Sequence, residues 1–255
     1  MDESMLKKNR VARYTAFAGA FALILAIAPA WADDQGGPPH PPGENTQVYS
    51  DPLAPFNEKM FTFNLKLDHY ILHPVAQGYA DIAPVSVRES VGRFFNNINF
   101  IPRMANNLFQ LHFPEAGGEL ARFGINTTIG IGGVFDPADK WFGLQQHDND
   151  MGLTLGHYGV PSGYYLVLPF LGPGTIRDDV GMAADGAMWP LSYFVPWYIY
   201  IPAGAGKTII QAVNYRSLHL DLFEQVDRYA VDLYGAVQDG YMQRRANELE
   251  TVNQY

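Results

Sequence analysis

The chain of 255 residues contains no cysteine, and few of its residues are charged. Without thiols it forms no disulfide, runs no thiol chemistry and builds no cysteine-ligated metal centre. Charged residues make up 17%, below the usual quarter, while 47% are hydrophobic and 14% aromatic. Beyond residue 32 prolines interrupt the apolar stretches, so no continuous run suits a helix that crosses ~30 Å of hydrocarbon. Several enzyme signatures are missing too. There is no GxSxG elbow for a serine esterase and no HExxH pair on one helical face. Ala203-Gly204-Ala205-Gly206-Lys207-Thr208 departs from the phosphate-binding loop, because Ile201 stands where its first glycine is needed; it reads as the turn that starts a helix. His147, Asp148, Asp150 and His157 supply metal-type ligands but lie in a glycine-rich loop, where a satisfied polar loop is the expected reading. Asp178 and Asp179 are adjacent, so their side chains diverge, and Arg177 offers a partner; a carboxylate pair for hydrolysis is not expected.

The net charge is −9. That excludes a nucleic-acid or anionic-lipid surface driven by clustered lysine and arginine. Residues 1–32 read as an export signal: Lys7, Lys8, Arg10 and Arg13 precede an apolar core from Ala16 to Ala28, and Ala30-Trp31-Ala32 gives a cleavage site. The other reading is a retained anchor. Cleavage would remove a net +2 and leave −11. Residues 33–50 hold Pro38, Pro39, Pro41 and Pro42, a composition suited to an extended arm.

Asp51-Pro52 reads as a helix start, and Phe56, Met60, Phe63, Leu67, Tyr70 and Ile71 form a stripe that stops before Pro74. The helix either faces a core or lies half in lipid. Asn57 and Asn64 share one side, to bond neighbouring loops or to line a polar route. Pro84, Pro102 and Pro114 open three further helices, too short to span a bilayer. Gly130, Gly132 and Gly133 suggest a hinge and Val134 to Gly143 a lid, with Phe135, Trp141 and Gly143 among its members. Tyr164 to Leu171 reads as a short buried strand closed by Gly172-Pro173-Gly174, followed by the charged knot Arg177-Asp178-Asp179. In Ala187 to Ala203 prolines recur every six residues, so bent pieces are expected. Trp189, Tyr193, Trp197, Tyr198 and Tyr200 suit either a membrane interface or an aromatic cluster. From Lys207 to Glu250 an amphipathic helix returns, bent near Ser217.

Two long ordered blocks, SDPLAPFNEKMFTFNLKLDHYILHPVAQGYADIAP (50–84) and the run from INTTIGIGGVFDPADKWFG (125–143) through HDNDMGLTLGHYGVPSGYYLVLPFLGPGTIRDDVG (147–181), resemble the MlaA/VacJ family. The resemblance covers roughly 50–245. It implies a mainly α fold: a ring-shaped bundle of short amphipathic helices around a central channel, with at most a few short strands, embedded in one membrane leaflet. The helical domain would span 51–245 and a tail 246–255. Function would be intermembrane phospholipid transport that maintains outer-membrane lipid asymmetry, without enzymatic chemistry, cofactor or metal. The implied partners are phospholipid, a soluble periplasmic carrier (MlaC-like) and a trimeric outer-membrane porin, and the implied location is the periplasmic face of the outer membrane. Relatives are acylated on a cysteine; here Ala32-Asp33 stands at that point, so retention without an acyl anchor is expected. Asn57, Asn64, Arg177, Asp178 and Asp179 are the candidate path residues, and Gly130, Gly132, Gly133, Phe135, Trp141 and Gly143 the candidate hinge and lid. A secreted lipid-modifying hydrolase and a structural envelope protein are the alternatives.

Overall fold

The computed structural model describes residues 51–189, 191–229 and 232–254; the expected signal and the proline-rich arm lie outside the described residues. The fold is mainly helical. Helix α1 (Ala54–Leu67) passes through a π turn at Asp68–Leu72 into α2 (His73–Ile82), and α3 (Val85–Ile98), α4 (Phe100–Phe109) and α5 (Phe113–Thr128) follow. Two short helices, α6 (Pro137–Phe142) and α7 (Met151–His157), lead to a hairpin of β1 (Tyr165–Leu168) and β2 (Gly172–Thr175). Then come α8 (Ile176–Ala187), α9 (Leu191–Phe194), α10 (Trp197–Leu218), α11 (Leu220–Tyr229) and α12 (Leu233–Val252).

Proline and capping chemistry place most helix starts. Pro55 lies in the first turn of α1, Pro84 precedes α3, and Pro114 sits at the start of α5. The side chains of Asp136, Asp150, Thr175 and Asp232 cap α6, α7, α8 and α12 by accepting backbone N–H bonds. Asp51 differs from its expected role. Its carboxylate accepts from Leu53 N–H at 3.0 Å and from Asn57, while α1 itself has no side-chain cap. Pro74 does not stop the first helix either. The ladder widens over Asp68–Leu72, with His73 N–H bonding back to the Asp68 carbonyl, and the wider turn accommodates a residue without an N–H.

Four further boundaries shift. Helix α4 begins at Phe100, so Pro102 lies in its first turn, and Pro202 is carried inside α10. Ala203 to Thr208 therefore lies in the middle of that helix rather than at its start. The expected bend near Ser217 is a break at His219, and α12 runs to Val252, through most of the expected tail.

The elements contact one another in a closed circuit. Helix α1 packs on the hairpin, the hairpin on α8 and α12, and α12 on α7. From α7 the contacts pass to α4, then α5, then α3, then α10, which returns to α2 and the π turn. One small apolar core sits where the circuit closes: Tyr165, Val167 and Tyr241, against Met60, Phe61, Tyr234 and Met242. Elsewhere burial is inverted. Among described residues buried polar and charged side chains outnumber buried apolar ones about two to one, whereas large apolar side chains such as Ile82 (86%) and Phe194 (83%) are exposed. Water-soluble domains rarely show so many exposed apolar groups together.

Candidate functional site

Asn57 and Asn64 are spaced to meet the free edge of β1. The Asn57 amide donates to the Tyr165 carbonyl (3.0 Å) and accepts from Val167 N–H (2.9 Å). Two helical turns on, Asn64 donates to the Leu168 carbonyl (2.9 Å) and accepts from Phe170 N–H (2.8 Å). Seven residues of helix rise ~10.5 Å, and three residues of strand about 10 Å, so the two periods coincide. The side chains thus substitute for a missing third strand. Asn57 is fully buried, and both asparagines bond the hairpin, a structural role for their shared side.

The charged knot is built on the α8 N-terminus. Thr175 and Asp178 bond each other reciprocally, with Thr175 Oγ1 to Asp178 Oδ2 at 2.7 Å and Asp178 N–H to Thr175 Oγ1 at 3.3 Å. Asp178 also accepts from Arg245 Nη2 (2.8 Å), the Tyr241 hydroxyl (2.8 Å) and Arg177 Nη2 (3.2 Å). Burial alone would raise its pKa. The Arg245 charge and the bonds from Arg245, Thr175 and Tyr241 outweigh that and hold it at about 2. Next to it, Asp179 is pushed up to about 7 by burial and by the Asp178 charge, and its Oδ2 is buried without a partner. Arg245 also forks onto Asp150 at 2.7 and 3.0 Å, and Asp150 caps α7. Arg177 and Asp178 therefore pair with each other, and Asp178 with Arg245, within the fold. Among the described residues Asp179 is the member of the knot without an ionic partner. A cavity of about 170 Å³ is lined by Arg177, Asp178 and Arg245 of the crossing together with Ser162, Met242 and Leu249.

Glycines make this crossing possible. A Cβ on Gly152 would lie 2.6 Å from Asp178 Oδ1, one on Gly156 2.7 Å from Arg177 Nη1, and one on Gly181 2.3 Å from the Gly152 nitrogen. The GxxxG pattern of α7 was the available sequence signal for this contact, and Tyr241 and Arg245, far along the chain, carried none.

The loop after α5 is tied rather than loose. Gly132 N–H bonds the Thr127 carbonyl, Gly133 N–H the Asn126 carbonyl and Phe135 N–H the Gly130 carbonyl, at 2.8 to 3.0 Å. Gly132 (φ 71°) and Gly133 (φ 94°) occupy the left-handed region, and Gly143 ends α6 in the same conformation. The glycines thus form a closed turn and a helix cap; Phe135 (54%) and Trp141 (70%) are exposed beside them.

Of the histidines expected in a loop, His147 donates its backbone N–H to Glu119, while His157 is the last residue of α7 and bonds Asn253. Among the described residues no three His, Asp or Glu side chains gather as a metal site. Tyr193 and Tyr198 are exposed and Trp189 is half-buried, under the Lys207 ammonium at 4.4 Å; the Trp197 side chain lies outside the described ones. Burial lowers the Lys207 pKa to about 8.

A family model described as "MlaA lipoprotein" matches residues 49–248. The "Intermembrane phospholipid transport system lipoprotein MlaA" of Escherichia coli (strain K12) is 34% identical over 235 residues, covering 91% of this chain and 86% of that one. An uncharacterized protein of Rickettsia typhi is 37% identical over 201 residues, 78% of this chain and 77% of its own. A solved structure described as "Structural basis for maintenance of bacterial outer membrane lipid asymmetry" aligns with a TM-score of 0.68 and 33% identity, over 79% of this chain and 100% of that chain.

Proposed function

The chain belongs to the MlaA lipoprotein family, and from that membership we propose that it moves phospholipid between membranes from a seat in the outer membrane. The observation that carries the reading is the inverted burial around a closed circuit of helices. An apolar exterior is solvated by acyl chains. Polar groups held inward give a head-group a route that hydrocarbon cannot supply. Among described residues no helix is long and apolar enough to cross a membrane, which suits seating in one leaflet.

In this reading the circuit surrounds an amphipathic passage, through which phospholipid leaves the outer leaflet without any covalent step. Phe135 and Trp141 meet acyl chains, the tied turn from Gly130 to Gly133 forms part of the wall, and Asp179 is the polar member of the knot left to the route. A soluble periplasmic carrier receives the lipid, and a trimeric porin holds the protein in the membrane. The test is reconstitution of the full chain in vesicles carrying labelled phospholipid, with an acceptor lipid-binding protein outside. Protein-dependent transfer of intact lipid is expected. Release of free fatty acid, or no transfer and no co-purified lipid, would overturn the proposal.

A further inference from the structure

In α12, Met242, Arg245, Ala246 and Leu249 fall at i, i+3, i+4 and i+7, along one face of the helix. They line the cavity of about 170 Å³, together with Ser162, ahead of β1, and Arg177 and Asp178, at the start of α8. That is room for about five waters at ~30 Å³ each, or for one group of similar size. The accessible part of the lining is mainly apolar.

The charges around the cavity are matched. Asp178 meets Arg177 at 3.2 Å and Arg245 at 2.8 Å. Arg245 also meets Asp150 at 2.7 Å and Glu248 at 2.9 Å, and Arg244 lies 3.4 Å from Glu248. Arg177, Arg244 and Arg245 thus stand against Asp150, Asp178 and Glu248, and neither an anion nor a cation finds a free charge. What is left over is a hydrogen-bond donor. Arg245 directs Nη1 and Nη2 to its carboxylates, while its Nε–H is buried and has no acceptor among the described residues. The whole residue is only 8% exposed, and a buried N–H of a charged group is costly without a partner.

The approach to the cavity is apolar. Val160 and Tyr164 flank Ser162 in the chain, Ile176 precedes Arg177, and all three are exposed. A Cβ on Gly163 would lie 3.2 Å from Ile176 Cβ, so the loop and the start of α8 are packed together at this edge. A neutral acceptor with an apolar tail answers both features. The acceptor completes the Arg245 Nε–H, and the tail covers Met242 and Leu249. Water satisfies the donor and leaves the apolar lining without a role.

We propose that this cavity holds the ester end of a glycerolipid acyl chain, with the ester carbonyl accepting from Arg245 Nε–H and the first methylenes lying on Met242, Ala246 and Leu249. The lipid source rests on the transport reading above; the neutral acceptor and its apolar tail rest on the cavity. Because Arg245 holds buried carboxylates, the variant of choice is Ala246→Phe, at an exposed lining residue outside the ion pairs. Full-length protein in an ester-free neutral detergent is titrated with dihexanoylphosphatidylcholine, with its diether counterpart and with methyl hexanoate, and the Arg245 Nε–H and Met242 methyl resonances are followed.

The diester is expected to shift both resonances and to bind at least about tenfold more tightly than the diether, which lacks the carbonyl that accepts from a charged donor. Ala246→Phe is expected to weaken diester binding by a similar factor, because the ring occupies the space of the methylenes. Equal affinity for diester and diether, or unchanged diester binding in folded Ala246→Phe, would overturn the proposal, and vesicle transfer measures the transport reading independently. Methyl hexanoate that shifts both resonances while neither phospholipid binds would sink the lipid source together with the transport reading and keep a carbonyl site. Resonances indifferent to all three ligands would mean a cavity for water alone and overturn the proposal. Should Ala246→Phe not fold, the Arg245 Nε–H of the unsubstituted protein decides: the diester must shift it and the diether must not.

Discussion

Asp178 and Asp179 are neighbours in sequence with opposite protonation behaviour, and the difference comes from what each carboxylate reaches. Asp178 meets Arg245, Tyr241 and Thr175, so its folded pKa lies below the unfolded value; its contribution to stability is present above about pH 4 and lost as pH falls toward about 2. Asp179 meets burial and the Asp178 charge, and its pKa rises to about 7. Between about pH 4 and 7 the folded state keeps a proton that the unfolded chain has released, so stability declines as pH rises through that window and stays lower above it. Asp185, raised to about 7 by burial and the Asp150 charge, adds to the same decline. Asp179→Asn should therefore raise the thermal midpoint at pH 8 more than at pH 5. An equal shift at both pH values would mean that Asp179 is ionised throughout. The charge pattern of Arg177-Asp178-Asp179 was legible in the sequence, but its assignment was not: the deciding partners, Tyr241 and Arg245, lie more than sixty residues away.

At the scale of elements the sequence was most readable where local chemistry sets the answer. Proline starts and the helical content follow from residues within one turn of each other, whereas Gly172-Pro173-Gly174, expected as the turn that closes the strand, is itself in β2 and pairs with β1. It was least readable where a neighbouring element compensates for a local fault. Pro74 is absorbed by a π turn, and Pro202 passes inside α10 against the expectation of a break there. The glycines after α5 illustrate the same division, because positive φ can be guessed from composition whereas close approach cannot. Gly132 has open space around its missing Cβ, and Gly133 has Asn97 Cβ at 2.5 Å. Gly132→Ala should cost only the left-handed conformation, ~1 kcal/mol. Gly133→Ala adds an overlap of about 1–3 kcal/mol and disturbs the Asn97 bonds to Thr127 and Gly132. Denaturant midpoints of the two variants measure the gap, and equal midpoints would show that the loop yields freely and is the hinge its glycines first suggested.

For the whole molecule, the quantity the sequence could not display is the direction in which each stripe faces. The first helix was readable as facing a core or lipid; in the structure Phe56, Phe63, Tyr70 and Ile71 are exposed while Met60 packs on the core and Asn57 is buried, so most of the apolar stripe looks outward. An outward apolar belt on a ring of short helices has a measurable depth. Of the four tryptophans, Trp141 is exposed on the outside of α6 and Trp189 is half-buried beneath Lys207. In single-tryptophan versions of the full chain, reconstituted in vesicles of lipids brominated at defined chain positions, Trp141 should be quenched at least about twofold more than Trp189, since bromine quenches on contact and one ring is covered by protein. Seating in a single leaflet further requires that bromines near the glycerol end quench Trp141 more than those at the chain terminus, because a one-leaflet protein ends at about half of the ~30 Å core. If aqueous iodide quenched Trp141 and brominated lipid did not, the belt would be facing water or another protein, and the inverted burial would need a porin or a second copy to cover it instead of lipid.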